Sequence, residues 1–209
     1  MKIKWLGHAA FLIDDLLIDP FIKDNPACPV KVNDVKCKIV CVTHDHSDHL
    51  GDAFEIAKRN NATFVAVHEL AMKAKEMGIN AEGMNIGGPF KVGDWEISMV
   101  NAVHSSDAGH PVGFILRKGK TVYHAGDTGL FMDMMLIGDY EIDVALIPIG
   151  GRYTMDVEQA IKACDIIKPK VAIPMHYNTF PKVQADSEQF KLKAPCEVVI
   201  LKPGEVYEV

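Results

Sequence analysis

No stretch of the sequence approaches the ~20 consecutive apolar residues of a membrane-spanning helix. Positive charge is also in short supply. The chain carries 22 Lys and Arg against 28 Asp and Glu, a formal net charge of -6, so nothing attracts nucleic acid or an anionic membrane in general, although a local basic groove is not excluded. Cysteine pairing is missing too: Cys28, Cys37, Cys41, Cys164 and Cys196 are odd in number, with no C-x-x-C pair and no regular spacing. They read as reduced thiols. At the N-terminus the apolar run from Trp5 to Ile13 is interrupted by His8 and stopped by Asp14 and Asp15, which is too short and too polar for a secretory segment. Linkers, low-complexity runs and repeats are absent. The expectation is one cytoplasmic domain, 1-209, acting on a small molecule and not on nucleic acid, with 48% hydrophobic residues to build its core.

What the chain does have is concentrated in Thr43-His44-Asp45-His46-Ser47-Asp48-His49, three histidines and two aspartates in seven residues. Imidazole nitrogens and carboxylate oxygens are ligands that Zn²⁺, Mn²⁺ and Fe²⁺ share. The stretch follows the apolar run Ile39 to Val42, where such groups would be costly to bury without a cation to satisfy them. The alternative is a solvated turn, since turns favour Asp and Ser.

Around it the pattern alternates strand and helix, as layered α/β domains do. Strands are expected at Lys2 to Leu6, Phe11 to Ile13, Leu16 to Ile18, Ile39 to Val42 and Thr63 to Val67. Later ones fall at Trp95 to Val103, Val112 to Leu116, Thr121 to His124, Val144 to Pro148, Val171 to Met175, Glu197 to Leu201 and Val206 to Glu208. Helices are expected at Asp52 to Asn60, His68 to Met77, Leu130 to Ile137, Asp156 to Ile167 and Ser187 to Leu192. Phe21 to Lys38 reads as a loop, marked by Pro26 and Pro29, that can overhang a site.

His104, Asp127 and His176 each lie at or just past the end of an apolar strand, as the histidine-rich stretch does, so all can converge on one rim, the edge that ligand sites in α/β sheets favour. The candidates number seven: His44, His46, Asp48, His49, His104, Asp127 and His176. One tetrahedral zinc takes four at most. If Asp127 bridges with its two oxygens, each of two metals has three further protein groups, with room for a water or hydroxide between them.

The sequence resembles the metallo-β-lactamase superfamily, with His44-x-His46-x-Asp48-His49 followed by His104, Asp127 and His176 in the family's order. Trp5-Leu6-Gly7-His8-Ala9-Ala10-Phe11 and Met175-His176-Tyr177-Asn178-Thr179-Phe180 are similar to its small metal-dependent hydrolase branch, related to ascorbate-6-phosphate lactonase and to the phospholipase D acting on N-acylphosphatidylethanolamine. The resemblance implies a four-layer αββα sandwich of class α+β: two mixed sheets, helices on the outer faces, and a binuclear site along one edge. It implies that His44, His46 and His104 hold one metal, that Asp48, His49 and His176 hold the other, and that Asp127 bridges. Asp19, in Leu17-Ile18-Asp19-Pro20, matches the motif that supports the histidine loop from behind. A homo-oligomer is left open, as is the choice among Zn, Mn and Fe.

The chemistry expected is hydrolysis of a small ester, lactone or phosphorylated metabolite by a metal-bridging hydroxide, with Asp48 orienting the water or taking its proton. A phosphodiesterase acting on nucleotide or phospholipid diesters is the alternative among enzymes, and a silent metal-binding regulatory protein the alternative outside them. His8 reads either as a general acid or phosphate donor reaching the pocket, or as a histidine hydrogen-bonded within its turn. His110 reads as a pocket residue or a solvated loop histidine. Asn178 and Thr179 read as donors to a substrate oxygen or as caps of the next turn. His68 and His124 read as structural, and Met132, Met134 and Met135 as core filler in preference to a lipid groove.

Overall fold

The computed structural model describes residues 1–209. Three short strands, β1 (Lys2–Trp5), β2 (Phe11–Ile13) and β3 (Leu16–Ile18), open the chain, and β4 (Ile39–Cys41) leads into the histidine-rich stretch. The end of that stretch forms a single helical turn, α1 (Ser47–Leu50), followed by α2 (Ala53–Asn60), β5 (Thr63–Val67), α3 (His68–Glu76) and β6 (Ala81–Met84). The second half runs β7 (Phe90–Val92), β8 (Trp95–Asn101), β9 (Val112–Arg117), β10 (Thr121–His124), α4 (Met134–Gly138) and β11 (Val144–Pro148). It closes with α5 (Val157–Ile167), β12 (Val171–Met175), α6 (Ser187–Lys193), β13 (Glu197–Val198) and β14 (Val206–Glu208). No helix is long and apolar enough to cross a membrane.

The strands form two seven-stranded sheets, ordered β14-β1-β2-β3-β4-β5-β6 and β13-β12-β11-β10-β9-β8-β7. Both are mixed, antiparallel at one side and parallel at the other. Strands β3, β4, β11 and β12 are buried at every position, which is why their sequences are continuous apolar runs without alternation. Helices α2 and α3 pack on the parallel strands of the first sheet, while α4, α5 and α6 form a row beside the second. One buried cluster of 64 residues draws on both sheets.

Strand direction decides where the polar residues go. In the first sheet β3, β4 and β5 run parallel, so Asp19 and Thr43 to His49 leave it at one end. In the second, β8 is antiparallel to β9 and β9 to β10, so β8 points the same way as β10, β11 and β12. His104, Asp127 and His176 therefore leave it together.

Several boundaries differ from the sequence expectation. Strands β6 and β7 were not foreseen, because both are edge strands whose exposed positions break the apolar pattern. Helix α4 begins at Met134, four residues later than expected, after a turn, and β13 stops at Val198.

At the end of the sandwich away from that rim, Asp15 pins the sheets together. Its carboxylate accepts from Trp95 Nε1 at 2.9 Å and pairs with Lys38 at 3.2 Å and Lys118 at 3.3 Å. Partial burial pushes this carboxyl up, but those three donors together hold it down at about 2, below the ~3.9 of an unfolded chain. The stabilisation is present above the unfolded value and is lost as pH falls toward 2. Asp15→Asn is thus expected to lower unfolding stability by about 1 kcal/mol at pH 7, with the gap closing near pH 2, as urea midpoints at both pH values would reveal.

Candidate metal centre

The rim is built on strained backbone. His8, Asp19 and His176 are non-glycine residues with φ of 55°, 46° and 54°, a conformation that costs of order 1–3 kcal/mol each and concentrates at functional sites. Gly126 has φ of 62°, and a Cβ there would lie 2.8 Å from the Val112 carbonyl oxygen and 3.1 Å from Thr43 Cβ. Only glycine lets the chain after β10 pass the histidine loop and deliver Asp127.

Asp19 braces the loop from below. It is fully buried. Its Oδ1 accepts from the Thr43 backbone N–H at 2.8 Å, and its Oδ2 from Thr43 Oγ1 at 2.7 Å and His49 Nδ1 at 2.8 Å. With Nδ1–H given to Asp19, His49 turns Nε2 toward the centre of the rim.

That centre is Asp127, 3% exposed. His49 Nε2 lies 3.1 Å from its Oδ1, and His176 Nε2 and His104 Nε2 lie 3.1 Å and 3.6 Å from its Oδ2. Beside it His44 Nε2 sits 3.0 Å from His46 Nδ1, and both rings are 5.1 Å from that of His104. Three sets have ligand atoms all within 4.8 Å of one another: His44, His46 and His104; His44, His49 and Asp127; and Asp48, His49 and His176 with His8.

Burial pushes the His44 imidazole down to about 3 and also lowers His104, in each case against the pull of Asp127. Burial alone would discharge His49, yet Asp127 and Asp19 on either side hold its imidazole well above the ordinary histidine range. Burial alone would likewise protonate Asp127, but the neighbouring charges of His49 and His176 hold it well below the carboxylate range. Even so, His49 Nε2, Asp127 Oδ1 and both ring nitrogens of His176 are buried without a hydrogen-bond partner. Orphaned buried polar atoms are rare. A divalent cation taking the place of the His49 Nε2 proton would engage these atoms, so the donor set fits a metal.

The remaining sequence candidates are placed as follows. Asp48 keeps 31% of its side chain exposed, with Oδ2 3.1 Å from His8 Nε2 and 3.9 Å from His176 Nε2. His8 is fully buried, and Thr179 Oγ1 lies 2.9 Å from its Nδ1. His110 is exposed, joined to Asn101 Oδ1 at 2.8 Å, and belongs to none of the three sets. Asn178 spends its side-chain amide on the backbone of Ala185. His124 is buried, bonded to the Ala9 carbonyl and accepting from Gly126 N–H, and His68 is exposed at the start of α3. The loop after β3 reaches the rim through Phe21, whose ring meets that of His8 edge-on at 5.9 Å. Met134 is core, but Met132, in the turn before α4, and Met135, on the helix, are 72% and 58% exposed.

Sequence reasoning missed two supports. Thr43 carries the contacts to Asp19, and Asp45 accepts from Ser106 Oγ and Asp107 N–H, both at 2.9 Å, tying the segment after His104 to the histidine loop. The signal was present, since Asp45 is the second aspartate of the seven-residue stretch.

Comparison with known proteins agrees with this geometry. The model of the beta-lactamase superfamily domain matches residues 15–177. Over its whole length the chain is 52% identical to a UPF0173 metal-dependent hydrolase of Archaeoglobus fulgidus, covering 99% of that protein. It belongs to this family of metal-dependent hydrolases. A second UPF0173 relative, from Methanopyrus kandleri, is 50% identical with 100% of both chains covered. The metallo hydrolase Igni18 of Ignicoccus hospitalis superposes with a TM-score of 0.93 at 43% identity, covering 100% of this chain and 98% of that one. An isothiocyanate hydrolase from Delia radicum gut bacteria shares the fold, with a TM-score of 0.81 at 18% identity over 100% and 99% of the two chains. The two mixed sheets with flanking helices are thus the metallo-β-lactamase sandwich of this superfamily.

Asp19→Ala is expected to destabilise the protein by about 2–4 kcal/mol, since it strands a buried backbone N–H and a buried imidazole. Urea unfolding measures this, and a variant as stable as the parent would contradict the bracing role.

Proposed function

We propose that this hydrolase is binuclear: His44, His46 and His104 hold one divalent cation, Asp48, His49 and His176 hold the second, and Asp127 serves both. The observation that carries the reading is the group of buried, partnerless polar atoms on His49, Asp127 and His176. Zinc, manganese and iron all suit this mixture of nitrogen and oxygen donors. Cations bound there would acidify a water and polarise the bond under attack.

The chain's own residues do the rest. Asp19 fixes the tautomer of His49 and keeps its Nε2 available at the centre. Asp48 is the acidic member that solvent reaches, and its partly exposed carboxylate meets the substrate side of the rim. It orients the attacking water or takes up its proton. Burial pushes the Asp48 carboxyl up, but the hydrogen bond from His8 and the charge of His49 more than offset this and keep it below the carboxylate range, so it is an acceptor at neutral pH. A small ester, lactone or phosphorylated metabolite is the substrate class we favour, on the likeness of the Trp5 to Phe11 and Met175 to Phe180 segments to the small-hydrolase branch.

The test is turnover of a lactone series and of a chromogenic phosphodiester by zinc- and manganese-loaded protein, beside Asp127→Asn. Lactone turnover, reduced at least a thousandfold in a variant whose unfolding midpoint is preserved, supports the reading. Turnover of the phosphodiester alone replaces the substrate class with phosphodiesters. Silence toward both, or an Asp127→Asn variant as fast as the parent, overturns it.

A further inference from the structure

We infer that His8 is a positioning residue and not a proton donor: with Thr179 it fixes the Asp48 carboxylate, and through its backbone it fixes His176. The inference rests on the proposed binuclear reading and deepens it, assigning to the first turn of the chain a role in shaping the second cation's ligands.

Hydrogen-bonding capacity fixes the tautomer of His8. A neutral imidazole has one donor and one acceptor nitrogen, and a carboxylate only accepts. His8 Nε2 lies 3.1 Å from Asp48 Oδ2, so the proton belongs on Nε2. That leaves a lone pair on Nδ1, 2.9 Å from Thr179 Oγ1, and the Thr179 hydroxyl donates to it in preference to its longer alternative acceptor, the Tyr177 carbonyl at 3.4 Å. Both nitrogens are then used, in a chain running from Thr179 through His8 to Asp48. The other oxygen of Asp48 has no protein hydrogen bond and remains for a cation or a water.

Packing removes the remaining freedom. The His8 ring is fully buried. It lies against the His176 ring at 4.0 Å and meets Phe180 and Phe21 edge-on at 5.5 Å and 5.9 Å. A general acid must reach the leaving group within hydrogen-bond distance and exchange its proton with solvent between turnovers. A sealed ring with both nitrogens engaged does neither.

The backbone makes the second tie. The His8 carbonyl accepts from the His176 N–H at 3.1 Å and from Trp5 Nε1 at 2.9 Å, while Trp5 stacks on Tyr177 at 5.6 Å and 9°. His8 and His176 both hold left-handed backbone conformations at this junction, as expected where neighbouring structure over-determines a strained geometry. One residue of the opening turn thus holds Asp48 by its side chain and His176 by its main chain.

The experiment separates positioning from proton transfer with four variants, His8→Ala, His8→Gln, Thr179→Val and Thr179→Ser. Zinc affinity is read by competition of the metal-free protein with a chelating dye, and the pH profile of kcat/KM on whichever substrate is turned over. Gln can offer Asp48 an N–H where Nε2 stood but has no proton to give. Positioning predicts that His8→Ala weakens the second zinc about 10- to 100-fold, that His8→Gln restores it to within about threefold, and that the alkaline limb of the profile survives in His8→Gln. Thr179→Val should weaken the second zinc severalfold and Thr179→Ser should recover it; this pair tests the chain even if His8→Ala fails to fold. Equal zinc affinity in all variants overturns the inference alone, as does loss of the alkaline limb in a His8→Gln variant that binds zinc normally. A parent protein that binds no zinc overturns the binuclear reading and the inference together.

Discussion

A carboxylate buried among imidazoles, Asp127 against His49, His104 and His176, is the constraint around which the rest of the structure is arranged. Isolated, such a group would be neutralised sooner than buried as a charge. The protein keeps it charged by surrounding it with nitrogens and by fixing those nitrogens from behind. Asp19 does this for His49, and Asp45 ties the segment after His104 to the histidine loop. The sheets serve this arrangement: strands β3, β4, β8, β10 and β12 all deliver their C-terminal ends to one rim, and Asp15 locks the opposite end.

Much of this was legible because strand direction and residue type both leave traces in sequence. A continuous apolar run that ends in His is a parallel, doubly covered strand reaching a polar rim, and Ile39 to His44 and Val171 to His176 have this form. The edge strands β6 and β7 left no such trace, since one exposed side and a short length erase both alternation and continuity. Surroundings were harder to read than positions. His8 falls where the turn between β1 and β2 suggested, but its sealing by Phe21 and Phe180 depends on residues far along the chain. Asn178 is likewise absorbed by Ala185, a contact that depends on how the turn after β12 folds back.

The same distinction bears on function. The ligand-type residues sit at or just past strand ends, and they limit the reaction class. Outside that rim the surface includes the outward-facing Met132, Met135 and Leu136, which are 72%, 58% and 60% exposed. The fold itself is retained in an isothiocyanate hydrolase at only 18% identity, as expected of a scaffold that hosts different sites.

The most direct test of the account is the metal content of the purified chain, counted by native mass spectrometry after equilibration with zinc. The account predicts two zinc ions per chain, both removed by a chelator and both restored on readdition. A chain that takes up one ion or none, with its unfolding midpoint unchanged by zinc, would contradict it.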